Sequence, residues 1–529
     1  MLNNVRDFGA AGDGITDDRA AIQAAVDNAA ASTSQGGILF PAGTYRVSRA
    51  TATGKFCSID LNGVQDFMVM GEGPKSVVKL VDTTERTGDW HVFRLRNNCR
   101  RVVYKDLVID GNRTGLTKPD EQSHGIEVES GTEDLVIDRC IMRECFGDGV
   151  RLLGTNRAGQ NVKRVRIENC LFQTNKRSGL SIQRAIGQII ISNCIFDATV
   201  SDQSIDFEPT GQGGPTDLII QGCLINHTNR TVAVTMSGNS GRDPLVRCKF
   251  TDNILLGGPI FCTDVNQLTI QNNVVVVGEV GPGQRIPVQV QRGGDSVIIS
   301  GNLLVNDHAA TEAVISLSEV NQRQVTRALV ANNLCFARSG NGIQCLSSDD
   351  VAIQGNMIVA TDSCAQGIFL RSEGSPMDHI SVRDNDVTVK GEGNWKFGVR
   401  IAASAPHNIG HFSVTGNSIS GAATGVAFDG SQFRQTPVCA LNRIAEDVTS
   451  AFVGIARLPE ASVVLGGAMS RGGATAGSGA GRFIAGLGDP NNKVIGNVGD
   501  IFQRLDGTPG ATFYVKETGD STNTDWAAK

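Results

Sequence analysis

Aromatic residues are scarce in these 529 residues, with three Trp, three Tyr and 5% aromatic content overall. Positive charge is short as well: 48 Lys and Arg meet 54 Asp and Glu, leaving a net charge of −6. That balance argues against a nucleic-acid grip, which needs clustered cations to displace counterions. It gives no general attraction to acidic membranes or strongly anionic polymers either, although a local basic patch would override the average. No apolar run reaches the roughly 18 residues of a membrane span. The 13 cysteines include no CxxC pair and do not read as a disulfide scaffold. Residues 1–6, MLNNVR, lack the basic and apolar regions of a secretory signal. The expectation is a chain either intracellular as made or exported by another route, such as release in a virus particle. An extracellular or virion-associated setting is favoured.

Glycine is plentiful instead, at 63 residues, which with few aromatics suits short strands and tight turns. A repeat runs along the chain. VRIENCLF at 165–172 is echoed by IIISNCIF at 189–196 and LIIQGCLI at 218–225, then by VIISGNL at 297–303 and VAIQGNM at 351–357. The aligned position reads Asn112, Cys140, Cys170, Cys194, Cys223, Asn253, Asn273, Asn302, Asn333, Asn356, Asn385, Asn417 and Asn442. Intervals of about 28 residues are those of stacked repeats. Apolar and polar residues alternate at period 2, so each unit is built of strands. The predicted fold is all-β, a right-handed parallel β-helix of about 12 coils in a single-stranded solenoid. Cys fills such a ladder as a small apolar residue and Asn links coils by hydrogen bonds. A metal or redox role for the thiols is the weaker alternative.

A second apolar pair marks another strand in each coil: Ile126/Val128, Val150/Leu152, Leu180/Ile182, Ile205/Phe207, Val232/Val234, Val288/Val290, Ile343/Cys345, Ile368/Leu370, Val399/Ile401 and Val426/Phe428. Alternation turns the residues between them outward. The domain reading is a cap over 1–50, the β-helix over 51–457, a Gly/Ala/Ser-rich linker over 458–485 and a small β-hairpin module over 486–529. In the cap, VRDFGAAGDG at 5–14 leads to a helical run with apolar Ala21, Ile22, Ala25, Val26 and Ala29, and Thr16 or Asp17 is the expected N-cap. In the module, DGTPG at 506–510 has hairpin character, and Trp526 follows.

The stretch 5–47 resembles the start of the pectate-lyase-type superfamily of parallel β-helices, and the repeat extends that resemblance to about residue 450. The superfamily includes polygalacturonase-like hydrolases, mannuronan C5-epimerases and bacteriophage tailspike depolymerases. The resemblance implies a polysaccharide or oligosaccharide partner, without nucleic acid or membrane insertion. The terminal module is similar to short C-terminal modules of phage tail and surface proteins. It is too small to stand alone, which implies docking on the solenoid or a homotrimer. The reaction signatures of the relatives are missing. Where mannuronan epimerases carry Tyr-Gly-x-Asp-Pro-His, residues 146–151 read FGDGVR. The successive polygalacturonase motifs are absent, and the chain starts directly at the cap, without the N-terminal virion anchor usual in tailspikes.

Hydrolysis of a glycosidic bond uses two carboxylates. Residues 203–209, QSIDFEP, offer Asp206 and Glu208 on one outward face, roughly 6.5 Å apart at the backbone, and these are the candidate catalytic pair. Crowding should push their pKa values apart. The bland reading is a solvated strand face or Ca²⁺ ligands. Glu127 and Glu129 repeat the pattern. Arg151 lies one coil on from Glu127, and Gln183 occupies the row of Glu129 and Glu208. With Asp148 and His124 at the feeding turns and Lys176 on a loop beside Arg177, these are the candidate substrate-binding residues. Salt bridging alone would account for Glu127 with Arg151, and turn packing for His124 and surface solvation for Lys176 are the more ordinary roles of such residues. Trp90, Trp395 and Tyr104 are the few aromatic platforms for a sugar. No cofactor is required for hydrolysis. The runner-up, a lyase acting on a uronate polymer, would use Arg151 or Lys176 with a carboxylate-bound Ca²⁺. A non-catalytic glycan-binding fibre is the third reading.

Overall fold

Alternation builds the strands and the 28-residue period stacks them. The computed structural model describes residues 2–529 apart from 32–35, 51–56, 87, 130, 155–160, 185, 199–200, 209–213, 228–231, 239–242, 279–284, 309–311, 362–365, 391–395, 431, 435–437, 441, 446–447, 449, 454–463, 466–482, 487–488, 493, 495–497, 499, 505–512 and 520–521. The chain forms two compact units, 1–269 with 280–284, and 270–279 with 285–529. Each is parallel β-solenoid, as the repeat predicts. No helix among the described residues is long and apolar enough to cross a membrane.

In the first unit, helix Arg19–Ala30 buries Ile22, Ala25, Val26 and Ala29. Its N-cap is Asp18, one residue past Asp17 and two past Thr16, the expected caps, and the side chain makes no capping bond. The Asp18 carboxylate instead accepts the backbone N–H groups of Ala11 and Gly12 at 2.7 and 3.0 Å, tying the glycine-rich loop to the helix start. Each following coil has three strands, for example Ser178–Gln183, Ile186–Ser192 and Ile195–Asp197, each paired in parallel with its counterpart one coil on. Between the turn and the first of these strands the coils approach so closely that a Cβ on Gly149 would sit 2.7 Å from the Gly179 carbonyl oxygen. Only glycine fits there, which explains the Gly-rich turns.

Cys140, Cys170, Cys194 and Cys223 stack as a buried column, and every described cysteine is buried and outside any disulfide among the described residues. Asn112 does not belong to that column. Ile141 N–H bonds Leu107 as Leu171 N–H bonds Cys140, so Leu107 holds the ladder position. Asn112 lies at the next corner, its side chain bonded to the Leu80 carbonyl and Asp82. A second correction concerns the strand Val234–Ser237. Val234 pairs with Ile205, so its buried pair is Val234/Met236 and not Val232/Val234. A Val-rich run satisfies alternation in two registers, and pairing with the previous coil decides between them.

In the second unit the ladder is asparagine. From Asn273 through Asn302, Asn333, Asn356, Asn385 and Asn417 to Asn442, each side-chain oxygen accepts the backbone N–H of the Asn one coil earlier at 2.9–3.1 Å. The amide nitrogens bond buried carbonyls such as Ile299 and Val330. Near the C-terminus, Ile501–Arg504 pairs antiparallel with Phe513–Lys516, and that strand with Trp526–Ala528. Phe502, Tyr514, Trp526 and Val494 form its small core. The linker expected over 458–485 lies almost wholly outside the described residues.

Candidate active site

Ile205 and Phe207 are buried in the core, and this forces Asp206 and Glu208 onto the opposite face of strand Gln203–Glu208. Stacking then builds two rows in the first unit. Arg94, Glu127, Arg151, Ser181 and Asp206 are successive partners in one. Leu153, Gln183 and Glu208 align in the other. Parallel strands set each step at about 4.8 Å.

The acids face away from the core, as alternation predicts, but they are not in open solvent. Asp206 is 6% exposed and Glu127 3%, whereas the Glu208 side chain keeps 32%. The cover comes from neighbouring side chains. Arg177, in the turn before Ser178–Gln183, reaches Glu208 with one guanidinium nitrogen and Asp148 with another at 3.1 Å. Gln183 donates to the other Glu208 oxygen. Asp206 accepts from Thr235 Oγ1 at 2.5 Å. Burial, reinforced by the adjacent Glu208 charge, pushes the Asp206 pKa up. The pair therefore sets an aspartate whose pKa is raised by burial beside a Glu208 held by a guanidinium and an amide.

The other end of the row is a closed charge network. Arg151 donates to Gln183 at 2.7 Å and Gln122 at 2.8 Å, and lies 3.6 Å from Glu127. Burial raises the Glu127 pKa to about 7 against the pull of Arg151. His124 is fully buried, accepts the Asp148 N–H on Nδ1 at 2.8 Å and stacks on His91 with ring centres 5.1 Å apart. Burial drives His124 well below its ordinary pKa and keeps it neutral. Burial drives Asp148 well above its own, against the opposing Arg177 charge. Glu127 Oε2, Asp148 Oδ1 and Ser181 Oγ are buried without a hydrogen-bond partner. Orphaned buried polar atoms are costly, and three of those among the described residues lie along this stretch.

Two expected binding residues stand apart. Glu129 is locked to Arg94 at 2.6 Å, and Lys176 points to Asp202 at 3.0 Å on the exposed side. Of the aromatic platforms, Trp90 is buried with its indole N–H on Ser58, Tyr104 is wholly buried, and Trp395 lies outside the described residues. Arg177 and Thr235 are the members that sequence reasoning underweighted. Alternation says nothing about a turn residue such as Arg177, and the two-residue register error hid Thr235, which falls beside Asp206 once Val234 pairs with Ile205. Arg94 was legible, because Phe93 and Leu95 alternate with it as the later pairs do. A Ca²⁺ ion takes six to eight oxygen ligands, but a guanidinium already engages Glu127, Asp148 and Glu208, so these residues do not suit that ion.

Residues 2–252 match the sequence family described as rhamnogalacturonase A/epimerase, pectate lyase-like. Mannuronan C5-epimerase AlgE4 of Azotobacter vinelandii is 38% identical over 154 residues, 28% of this chain and 27% of the relative. Alginate lyase 7 of the same organism is 41% identical over 118 residues, 21% of this chain and 13% of the relative. The chain thus spans about a quarter or less of the length of these relatives. Among solved structures, the AlgE4 A-module superposes with a TM-score of 0.35 at 17% identity, covering 85% of this chain and 97% of that one. The pre-mature bacteriophage phi29 gene product 12 gives 0.49 at 15% identity, covering 92% and 61%.

Proposed function

We propose, from the premise that residues 2–252 belong to the pectate-lyase-like family of parallel β-helices, that the chain is a polysaccharide-processing enzyme reacting at Asp206 and Glu208. The single observation that carries this reading is the pairing of a buried Asp206, its pKa raised, with a Glu208 held on the same strand face by Arg177 and Gln183. Hydrolysis needs that division of labour. Asp206 protonates the glycosidic oxygen as the bond breaks, and Glu208 serves as base or nucleophile. A retaining pair stands roughly 5–5.5 Å apart, a spacing that side-chain rotation reaches from neighbouring positions i and i+2 on one strand face.

A second reading has its own support. Several relatives are named for mannuronan or alginate, and Arg177 and Arg151 supply the cations that a uronate carboxylate requires. On that reading the reaction is elimination or epimerisation. Incubation with a panel of bacterial, algal and plant polysaccharides, followed by product masses, separates the cases. Hydrolysis adds one water per cleaved bond, elimination adds none and yields an ultraviolet-absorbing unsaturated sugar, and epimerisation leaves chain length unchanged. Tight binding without any conversion would instead make the protein a glycan-binding fibre. An extracellular or virion-associated setting and a homotrimer belong to the same proposal, and a monomeric mass by light scattering removes the trimer.

A further inference from the structure

We infer that Asp378, His379 and His411, in the second unit, form a binding site for a borderline divalent metal ion, with Zn²⁺ the expected occupant. Coil stacking creates the cluster. Ile380 pairs with Phe412, which brings His379 and His411 into register, their rings stacked 5.1 Å apart. Asp378 Oδ1 lies 2.9 Å from His411 Nδ1 and 3.9 Å from His379 Nδ1. The backbone N–H groups of both histidines donate to that oxygen at 2.9 and 2.6 Å, which fixes the carboxylate beside both residues. One ligand atom from each residue falls within 4.8 Å of the others. A tetrahedral ion with Zn–N bonds of about 2.0–2.1 Å needs ligand atoms about 3.3 Å apart, so a modest rotation of the rings closes the site.

Accessibility and charge both favour an ion here. The three side chains are 41–64% exposed, leaving room for water as the remaining ligand. His379 and His411 line a hollow of about 370 Å³ flanked by Phe412, Ser413 and Val438, and none of its lining residues is Lys or Arg. Two imidazoles and one carboxylate suit Zn²⁺ and Cu²⁺ and suit Ca²⁺ and Mg²⁺ poorly. The other His-rich cluster, His91, His124 and Glu127, makes the contrast. It is buried, and Arg151 Nη1 stands 3.3 Å from His124 Nε2 and 3.6 Å from Glu127, so a cation already occupies the electrostatic role of a metal.

The test is zinc calorimetry on the full chain at neutral pH after chelator treatment, with Cu²⁺ electron paramagnetic resonance as a second readout. The expected result is one ion per chain with nitrogen hyperfine structure from two imidazoles. His379→Ala and His411→Ala should each weaken binding at least about tenfold and leave one imidazole in the spectrum. Metal-free melting curves that match the wild type show that the variants are folded, and His411→Gln repeats the test with less lost volume. Glu127→Gln should bind zinc as the wild type does. The inference is overturned by the absence of saturable binding below about 1 mM, by unchanged binding in the double histidine variant, or by loss of binding in Glu127→Gln. None of these outcomes bears on the carboxylate pair, which lies in the other unit.

Discussion

The two units share one strand plan and differ in where they put polarity. In the second, polarity runs inside as the asparagine column from Asn273 to Asn442, with each amide satisfied by the next coil. In the first, the same inner positions from Cys140 to Cys223 are thiols, and burial pushes that of Cys140 up to about 12, so it stays neutral. Polarity there sits on the outer row, where Glu127, Asp148 and Asp206 are desolvated and three polar atoms lack partners. A satisfied network holds a fold together, whereas an unsatisfied one holds groups ready for a ligand. The carboxylate row of the first unit is accordingly where the proposed chemistry is placed, although Glu319 Oε2 and Gln366 Oε1 of the second unit are also buried without a hydrogen bond.

The largest expected effect breaks the comparison at its functional end. Asp206→Asn should lower turnover of a responsive polysaccharide by about 100-fold or more, the usual share of a general acid, with binding retained. Asn356→Ala should leave turnover per folded molecule unchanged. Because the Asp206 pKa is raised, wild-type activity should fall as pH rises and the acid loses its proton, and kinetics across pH would check this. Equal losses in Asp206→Asn and Asn356→Ala would remove the contrast.

Stability should reverse the ranking. Asn356→Ala strands the Asn333 amide and the Val330 carbonyl, at about 1–3 kcal/mol for each unmade bond. Cys194→Ala removes one sulfur from an apolar column and should cost about 1 kcal/mol. Denaturant midpoints of the two variants measure the difference directly. A smaller effect sharpens the same point. Glu127 binds its proton more tightly folded than unfolded, because burial lifts its pKa from 4.5 to about 7. Its contribution is thus fully present below pH 4.5 and is lost as pH rises through 7, at up to about 1.4 kcal/mol per pH unit. Glu127→Gln should flatten that slope in melts taken across the range. Smallest of all, Arg247→Ala removes an exposed pair with Asp217 and should leave the midpoint unchanged.

Much of this was readable before any coordinates. Ile205 and Phe207 announced the strand face, and Glu127 opposite Arg151 followed from the spacing alone. Period-2 alternation names a face, however, and not what lies over it, so the closure of Arg177 across Glu208 and Asp148 was out of reach. Ladder identity failed at Asn112 for a related reason. A Leu at 107 carries no polar mark, and an Asn one corner away looked like the next rung.

The central claim is that a buried Asp206 and its half-buried neighbour Glu208 act on each other as one pair. Carbon-13 NMR of aspartate-labelled protein, with Asp206 assigned by its loss in Asp206→Asn, tests it most directly. Asp206 should titrate well above the ordinary 3.8 and move down, without returning to it, in Glu208→Gln. An Asp206 that titrates as a free aspartate and ignores Glu208→Gln would contradict the account.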